Sequence, residues 1–423
     1  MSAPRICCLD LDTFFVSVER ILDPFLEGKQ VVVGGRPATR GVVTACSYEV
    51  REVGVRSGMS LTEAGRLAPD AVYLPVRGGA YSEYAEKVRK IASRYSPVIE
   101  VASIDELYID FAGCERLYRK SGDASACATI ERTVREMTVV ILGELGLPSS
   151  AGIGASRSMA KIASGLAKPA GVLLVPAGSE AALLAPLPVR KLPGIGPVAE
   201  EKLERAGLAT LGQVAAMPVS DLRRIFGAWA EHVKDGARGL GSADLSRDRP
   251  AFREHDVEGD SVGSISSERT FRADVGDSAT IESQLCSLCE RVCWRARRRG
   301  VKARTVTLKL RYSNFQTLTR SRTISPTCSE VEVYPVVKDL YLGARHGRRR
   351  VRLLGVGLSN LGLFDGQLPL FEGDRRRDAA VDAIRERFGY DAVRLAGGHR
   401  RPGAGQAEGT EPVPPELGRG LLQ

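Results

Sequence analysis

Arg5-Ile6-Cys7-Cys8-Leu9-Asp10-Leu11-Asp12-Thr13-Phe14-Phe15-Val16-Ser17-Val18-Glu19 begins with an apolar run that ends in acid. This is the pattern of a short buried strand with carboxylates at its C-terminal end. A second acidic pair closes Ser103-Ile104-Asp105-Glu106, the tight connection between two strand-like runs, Val98 to Val101 and Leu107 to Phe111. Carboxylates at strand ends cost desolvation free energy unless cations or donors face them. Hard oxygen ligands of this type suit Mg²⁺, which takes one or two carboxylates together with substrate phosphate. Two such ions about 4 Å apart can activate an attacking hydroxyl and stabilise a leaving oxygen. For any single Asp, a turn acid that caps a helix or pairs with Arg is the commoner role. Spacing along the chain does not by itself bring residues 10 and 105 together.

Outward from these clusters, strand and helix signals alternate. Val31-Val32-Val33 reads as a strand broken by Gly34-Gly35. Tyr81, Tyr84, Val88, Ile91 and Tyr95 recur at helical spacing until Pro97. A long helix is expected from about Ala124 to Leu145, a strand near Ser149 to Ile153, a helix to about Ala167 and a strand at Gly171 to Val175. The first 175 residues therefore predict an α+β or α/β sheet domain. From Ala177 to about Gly241 short helical patterns are separated by Pro and Gly, as in an all-α module. Residues 242–260 are polar and weakly periodic, a linker pattern. Strand and helix signals return from about Ser261 to Phe364. The end of the chain has one helical segment near 378–396 and a Gly/Pro-rich stretch from Pro402 to Gly420, whose composition predicts disorder. No internal repeat of fixed period is present.

Composition bounds the classes. The chain has 423 residues, 43% hydrophobic and 26% charged, which excludes a mainly disordered protein. Its best apolar stretch, Ala170 to Val189, is interrupted by Pro176, Glu180, Pro186 and Pro188, so no membrane span is expected. Asp10 and Asp12 fall where a secretory signal would need its apolar core. The 9 cysteines, an odd number, suit a reducing compartment better than a disulfide framework. These features predict a soluble, cytoplasmic, multidomain protein. Net charge is +9, yet between Arg291 and Arg352 alone 17 Lys/Arg face 3 acids. The positive charge is thus concentrated, as expected where a face meets a polyanion. In Thr305-Val306-Thr307-Leu308-Lys309-Leu310-Arg311-Tyr312 basic and polar residues alternate with apolar ones, which predicts a basic sheet face over a core rather than a solvated tail.

Four motifs carry a family resemblance. Asp10 to Glu19 resembles the first motif of the Y-family DNA polymerases, and Ser103-Ile104-Asp105-Glu106 resembles their second carboxylate motif. Tyr48-Glu49-Val50-Arg51 is similar to their triphosphate-binding motif, and Ala167-Lys168-Pro169-Ala170-Gly171 to the Lys-Pro segment at the end of the palm. The order and spacing are those of the family, over residues 1 to about 365, and the nearest branch is the bacterial DNA polymerase IV type. The resemblance implies that Asp10, Asp105 and Glu106 are catalytic and bind two Mg²⁺ ions, with the Leu11 carbonyl as a further ligand. It implies that Tyr48, Arg51 and Lys168 hold the β- and γ-phosphates, where fixed donors neutralise charge on the pyrophosphate leaving group. Phe14 and Phe15 line the nucleotide site in this reading. Phe15 is the steric gate against a 2′-hydroxyl, and Phe14 its more tightly packed neighbour. Asp12 takes a structural role. One departure stands at Ala45, where the family commonly has Thr; Thr44 lies one step earlier.

Leu192-Pro193-Gly194-Ile195-Gly196-Pro197, followed by Ala199 to Ala206, resembles a helix–hairpin–helix. Backbone N–H groups at Gly194, Ile195 and Gly196 could take a DNA phosphate regardless of sequence. Val262-Gly263-Ser264 to Phe271 resembles the start of the family's little finger, in which Lys309 and Arg311 would face the duplex backbone. Gln367-Leu368-Pro369-Leu370-Phe371 resembles the bacterial clamp-binding pentapeptide, with Gln367, Leu368, Leu370 and Phe371 as the docking residues. Gly152-Ile153-Gly154 lacks the third glycine of a dinucleotide fingerprint and the Gly-Lys-Ser/Thr of a phosphate loop, so neither is assigned. Cys286, Cys289 and Cys293 could begin a zinc site, but no fourth ligand is close in sequence, and a buried helix face is the better reading.

The resemblance thus implies an α+β multidomain right-hand polymerase. Its parts are a palm (1–22 and 79–168), fingers (23–78), a helical thumb with helix–hairpin–helix (169–241), a linker (242–260), an α+β little finger (261–365) and a clamp-binding tail (366–423). The expected function is low-fidelity, template-directed DNA synthesis past damaged bases, without proofreading. The partners would be primer–template DNA, dNTPs and a sliding clamp, and the enzyme would be a monomer with no membrane contact. One rival is a catalytically silent scaffold that binds DNA and clamp; retention of all three carboxylates with Tyr48, Arg51 and Lys168 argues against it. A nucleotidyl cyclase is the other, and it would need a Gly-Gly-Asp/Glu-Glu-Phe segment that the sequence lacks.

Overall fold

The computed structural model describes residues 5–245, 263–345, 347, 349–363 and 373–394. The chain divides into two units, with the boundary between Asp248 and Arg249.

The first unit is built on β1 (Ile6–Leu11), which is apolar from Ile6 to Leu9, where both faces are covered. Cys7 and Leu9 join a core with α1 (Phe14–Leu22), while Ile6 and Cys8 face a smaller cluster containing Tyr108 and Ala160. Next come β2 (Val31–Val33), β3 (Ala45–Cys46), α2 (Tyr48–Glu52), α3 (Leu61–Leu67) and β4 (Val72–Leu74). Strands β3-β2-β4 form a small sheet with its own core around Val32, Val50 and Leu61. The chain returns through α4 (Gly78–Ala92), β5 (Val98–Val101), β6 (Glu106–Asp110), α5 (Cys114–Tyr118), α6 (Ala126–Leu145), β7 (Ser149–Gly154), α7 (Arg157–Ala167) and β8 (Val172–Leu174). The main sheet has the order β5-β6-β1-β7-β8, so β1 is central between two antiparallel partners.

Capping and glycine placement set where these helices sit. Ser125 and Ser156 accept N-terminal amides of α6 and α7 through their side chains. Gly152 lets α7 lie almost on β7: a Cβ there would fall 2.1 Å from the Ala160 carbonyl oxygen. The glycines of Gly152-Ile153-Gly154 therefore serve helix–strand packing. Beyond α7, Leu245 is buried against the sheet in the cluster of Ile6 and Cys8, and the Arg157 amide donates to the Ser242 carbonyl at 3.1 Å. The first residues after the helical module thus pack on the sheet.

That module comprises α8 (Glu180–Leu184), α9 (Pro197–Arg205), α10 (Leu211–Ala216), α11 (Val219–Phe226) and α12 (Ala230–Ala237) around Leu184, Leu203, Leu211 and Leu222. Gly194 has φ +92°, and a Cβ on it would meet the Trp229 ring at 2.9 Å. Trp229 stacks in turn on His232, with ring centroids 5.8 Å apart.

The second unit contains β9 (Ser264–Val275), α13 (Ser278–Arg298), β10 (Lys302–Tyr312), β11 (Thr317–Thr327), α14 (Glu330–Ala344), β12 (Val351–Gly362) and α15 (Gly373–Phe388). Its antiparallel sheet has the order β11-β10-β12-β9. Along β10, Val306, Leu308, Leu310 and Tyr312 are buried against α13 and α14, and Lys309 and Arg311 alternate with them on the opposite face. The alternation read from the sequence is the pleat of this strand. Cys289 and Cys293 lie in the core and Cys286 is buried beside them, and burial pushes the Cys286 thiol up to about 12.

The helical segment expected near 378–396 is α15, which starts earlier and ends at Phe388 because Gly389 takes φ +93°. It is anchored to this unit by buried charge. Arg385 and Glu290 pair at 3.0 Å with side chains 1% and 0% exposed. Arg297 on α13 donates to Asp382 at 2.6 Å, to Glu330 at 2.5 Å and to the Cys328 carbonyl at 2.9 Å. Tyr390 packs on Trp294, with ring centroids 5.0 Å apart. Because removing one member of a buried ion pair typically costs about 3–5 kcal/mol, Arg385→Ala should lower the unfolding midpoint of this unit by several degrees. Scanning calorimetry checks it; an unchanged midpoint would mean that α15 is not held by this pair.

Candidate active site

The register of the main sheet assembles the carboxylates. Asp10 on β1 lies directly opposite Glu106 on β6, and the Leu11 amide donates to the Asp105 carbonyl at 2.9 Å. Asp10, Leu11, Asp105 and Glu106, which the motifs assigned to one site, are therefore neighbours at one end of the central strands. Asp105, half-buried like the other two acids, accepts from Ser103 Oγ at 2.5 Å.

Cationic side chains face the other two. Lys168 Nζ pairs with Asp10 Oδ1, and Lys161 Nζ pairs with Glu106 Oε2. Burial raises the Asp10 carboxyl above its ordinary value, opposed by the hydrogen bond and charge of Lys168. Burial works against the charge of both lysines, yet their bonds to Glu106 and Asp10 leave them above the usual lysine value. Among the described residues, no three His, Cys, Asp or Glu side chains are gathered into a closed metal cage. The donor set nonetheless fits a divalent cation: three half-buried carboxylates clustered beside main-chain carbonyls, two of them facing lysines and Asp105 facing none among the described residues. Lys161 is a residue the motif reading missed. It lies on α7, which ends at Ala167, and Lys168 follows in extended backbone, so no helical spacing in the sequence linked the two lysines.

Cys8 adds a thiol contact to Glu106 Oε1 at 3.6 Å. Burial, then the charge of Glu106, pushes that thiol up to about 12, so it serves as a packed neighbour and not a nucleophile.

Asp12 is 1% exposed. Its Oδ2 accepts from Ser150 Oγ and from the Ala170 amide, each at 2.8 Å, and its Oδ1 accepts from the Tyr48 hydroxyl at 3.4 Å. Lys168 Nζ lies 3.6 Å from the same Oδ1. This carboxylate is satisfied on every side, which is the structural role read for it. Through it Tyr48 is drawn towards Lys168, and the Arg51 guanidinium lies 4.9 Å from the Tyr48 ring centre. Tyr48, Arg51 and Lys168 thus border the carboxylates from the α2 and α7 sides. Near them Ala45 sits on β3, and Thr44, with an exposed side chain, gives its amide to the Val33 carbonyl at 2.8 Å.

Phe14 is 3% exposed in the core, and Phe15 is half-buried with its ring stacked on Tyr81. Phe14 is accordingly the packed neighbour of the pair. In the helical module, Gly194 and Gly196 are exposed, whereas the Ile195 side chain is buried and its amide already donates to the Leu192 carbonyl at 3.0 Å, which takes Ile195 out of the expected set of phosphate donors. On the sheet of the second unit, Lys309 pairs with Glu268 at 2.7 Å and Arg311 donates to Thr317 Oγ1 at 2.8 Å. Gln367 to Phe371 lie outside the described residues.

Strand-end carboxylates beside a tyrosine, an arginine and two lysines, on a sheet backed by helices, are the pattern of a nucleotidyltransferase of the polymerase-palm class. Comparison with known proteins makes the class specific. Residues 9–165 match the impB/mucB/samB family, 177–208 the IMS family HHH motif and 262–369 the impB/mucB/samB family C-terminal domain. A DNA polymerase IV of Dehalococcoides mccartyi (strain CBDB1) is 37% identical over 95% of this chain and 99% of its own. That of Streptomyces coelicolor is 38% identical over 90% of this chain and 76% of its own. Among solved structures, a Y-family DNA polymerase chimera of Dbh and Dpo4 superposes with TM-score 0.69 at 26% identity, covering 84% of this chain and 98% of the other. The chain belongs to the Y-family DNA polymerases, in their DNA polymerase IV group, and is a DNA-directed DNA polymerase.

Proposed function

We propose that the chain extends a primer by two-metal nucleotidyl transfer, copying damaged as well as intact template with low fidelity. The observation that carries this reading is the pairing of Asp10 with Glu106 beside Leu11 and Asp105, bordered by Lys168 and Tyr48. In the reaction the primer 3′-oxygen forms a bond to the α-phosphorus of a dNTP, and the bond from that phosphorus to pyrophosphate breaks. Asp10, Asp105, Glu106 and the Leu11 carbonyl would hold two Mg²⁺ ions, which supply Lewis-acid stabilisation to the attacking and leaving oxygens. Lys168, Tyr48 and Arg51 bind the β- and γ-phosphates, and Lys168 exchanges its bond to Asp10 for one to phosphate. Lys161, on α7, keeps Glu106 oriented. Phe15 lies against the sugar and excludes a 2′-hydroxyl, with Phe14 filling the core behind it.

The fingers read at 23–78 are small: α2 has 5 residues and α3 has 7, on a sheet of three short strands. Such short elements favour an open, permissive site, and no exonuclease segment was recognised, which together support low fidelity without proofreading. DNA is held without sequence preference by the backbone N–H groups at Gly194 and Gly196 and by the face carrying Lys309 and Arg311. That binding should weaken steeply with salt. Residues 367–371 dock on a sliding clamp. The enzyme works as a cytoplasmic monomer on primer–template DNA.

Primer extension with dNTPs and Mg²⁺ should proceed with the wild type, stop on chelation and be abolished by Asp105→Ala while duplex binding persists. Equal extension by the variant would remove Asp105 from the metal site. Phe15→Ala should admit ribonucleotides, read as an increase in kcat/KM for a ribonucleotide relative to its deoxy form. Replacing Gln367, Leu370 and Phe371 with Ala should leave unassisted extension intact and abolish stimulation by a bacterial clamp; retained stimulation would place the clamp contact elsewhere.

A further inference from the structure

Phe15 belongs to a closed set of four side chains on two helices. On α1, Phe15 and Glu19 are four residues apart and share a face; Tyr81 on α4 and Arg77 at its N-cap have the same spacing. The Phe15 and Tyr81 rings lie flat on each other, with centroids 4.1 Å apart and planes inclined by 12°. The Tyr81 hydroxyl donates to Glu19 Oε1 at 2.6 Å. Arg77 grips the same carboxylate in a fork: Nε donates to Oε1 at 2.9 Å, and Nη2 donates to Oε2. Glu19 and Tyr81 are both 0% exposed, whereas the Arg77 side chain reaches solvent.

The physical ranking of these contacts gives the set a direction. A fully buried carboxylate is tolerated only where a cation and donors meet it, so the Glu19–Arg77 fork is the contact least free to move. The Tyr81 hydroxyl is fixed to that carboxylate, which pins the far end of its ring. The ring in turn is the flat surface against which Phe15 rests, leaving the opposite face of Phe15 as the one a nucleotide can meet. Arg77 lies three residues beyond Leu74, the end of β4, so the fork also joins the small sheet to α4.

We propose that the Glu19–Arg77 ion pair is the positioning device for sugar discrimination, acting through Tyr81 to hold Phe15 at the depth that rejects a 2′-hydroxyl. The proposal rests on the reading of Phe15 as the gate. It makes Glu19, Arg77 and Tyr81 positioning residues, none of which touches the substrate.

The test is single-nucleotide insertion kinetics on an intact primer–template with a dNTP and the matching ribonucleotide, for wild type, Phe15→Ala, Tyr81→Phe, Glu19→Gln and Arg77→Gln. Tyr81→Phe keeps the ring and removes only the bond that orients it. It should weaken discrimination about threefold to tenfold, the size expected when an aromatic side chain gains an off-rotamer alternative. The change should appear as a lower ribonucleotide KM with dNTP insertion and the unfolding midpoint little altered. Glu19→Gln and Arg77→Gln should move discrimination the same way and further, and Arg77→Lys should restore part of it. Wild-type discrimination in Tyr81→Phe and Glu19→Gln, alongside its loss in Phe15→Ala, would overturn the proposal and leave the gate in place. Wild-type discrimination in Phe15→Ala as well would overturn the gate reading and the proposal with it. Should Arg77→Gln fail to fold, Tyr81→Phe still decides.

Discussion

Three chain segments converge on the carboxylate of Asp12. It follows the central strand directly, and its two oxygens collect the Ser150 hydroxyl from β7, the Ala170 amide beyond α7, the Tyr48 hydroxyl from α2 and the near approach of Lys168. A carboxylate this deeply buried is stable only if its oxygens are met by donors. Each segment must therefore arrive at one place for the fold to close. The convergence brings the strand end that carries Asp10 into register with the lysine and tyrosine on either side. Asp12 thus contributes organisation, whereas Asp10, two residues earlier and more exposed, remains available for chemistry.

Around this fixed point the site is balanced electrostatically by residues that can exchange partners. Lys161 projects from α7 and Lys168 follows its last residue, and Gly152 lets that helix lie against β7 with almost no gap. Helix position, lysine reach and carboxylate spacing are consequently coupled. Widening the contact at Gly152 would draw both ammonium groups away from the acids at once. The lysines stabilise negative charge that desolvation would otherwise suppress, as the raised carboxyl of Asp10 indicates.

Much of this was legible along the chain, where the signal was local. Arg5 to Leu9 reads as a buried strand since an apolar run ends in acid, and the alternation around Lys309 is the pleat of β10 seen in one dimension. The resemblance supplied which acids meet. Pairings between distant segments were not readable from periodicity. Lys161 looks like any lysine on an amphipathic helix until the pairing of β6 with β1 places Glu106 beside it, and Glu19 is 58 residues from Arg77. The end of α15 was overestimated because Tyr390 to Val393 continue an apolar pattern, while the backbone reversal at Gly389 is decided by one φ angle. The anchoring of that helix by Arg385 and Arg297 depends on acids on α13 and α14, far away in sequence.

The chain has only 2 tryptophans, and the fold places one in each unit. Trp229 is 37% exposed and lies against the Gly194 hairpin; Trp294 is 5% exposed and lies under Tyr390, just past α15. An indole in water emits at longer wavelength than one in an apolar setting, so the two contribute separable bands to the intrinsic fluorescence. The red-side band belongs to the hairpin, and solute quenchers reach it first. The blue-side band belongs to the docked C-terminal helix. The intact enzyme therefore carries two native optical reporters, one for each unit, and needs no attached dye to follow either.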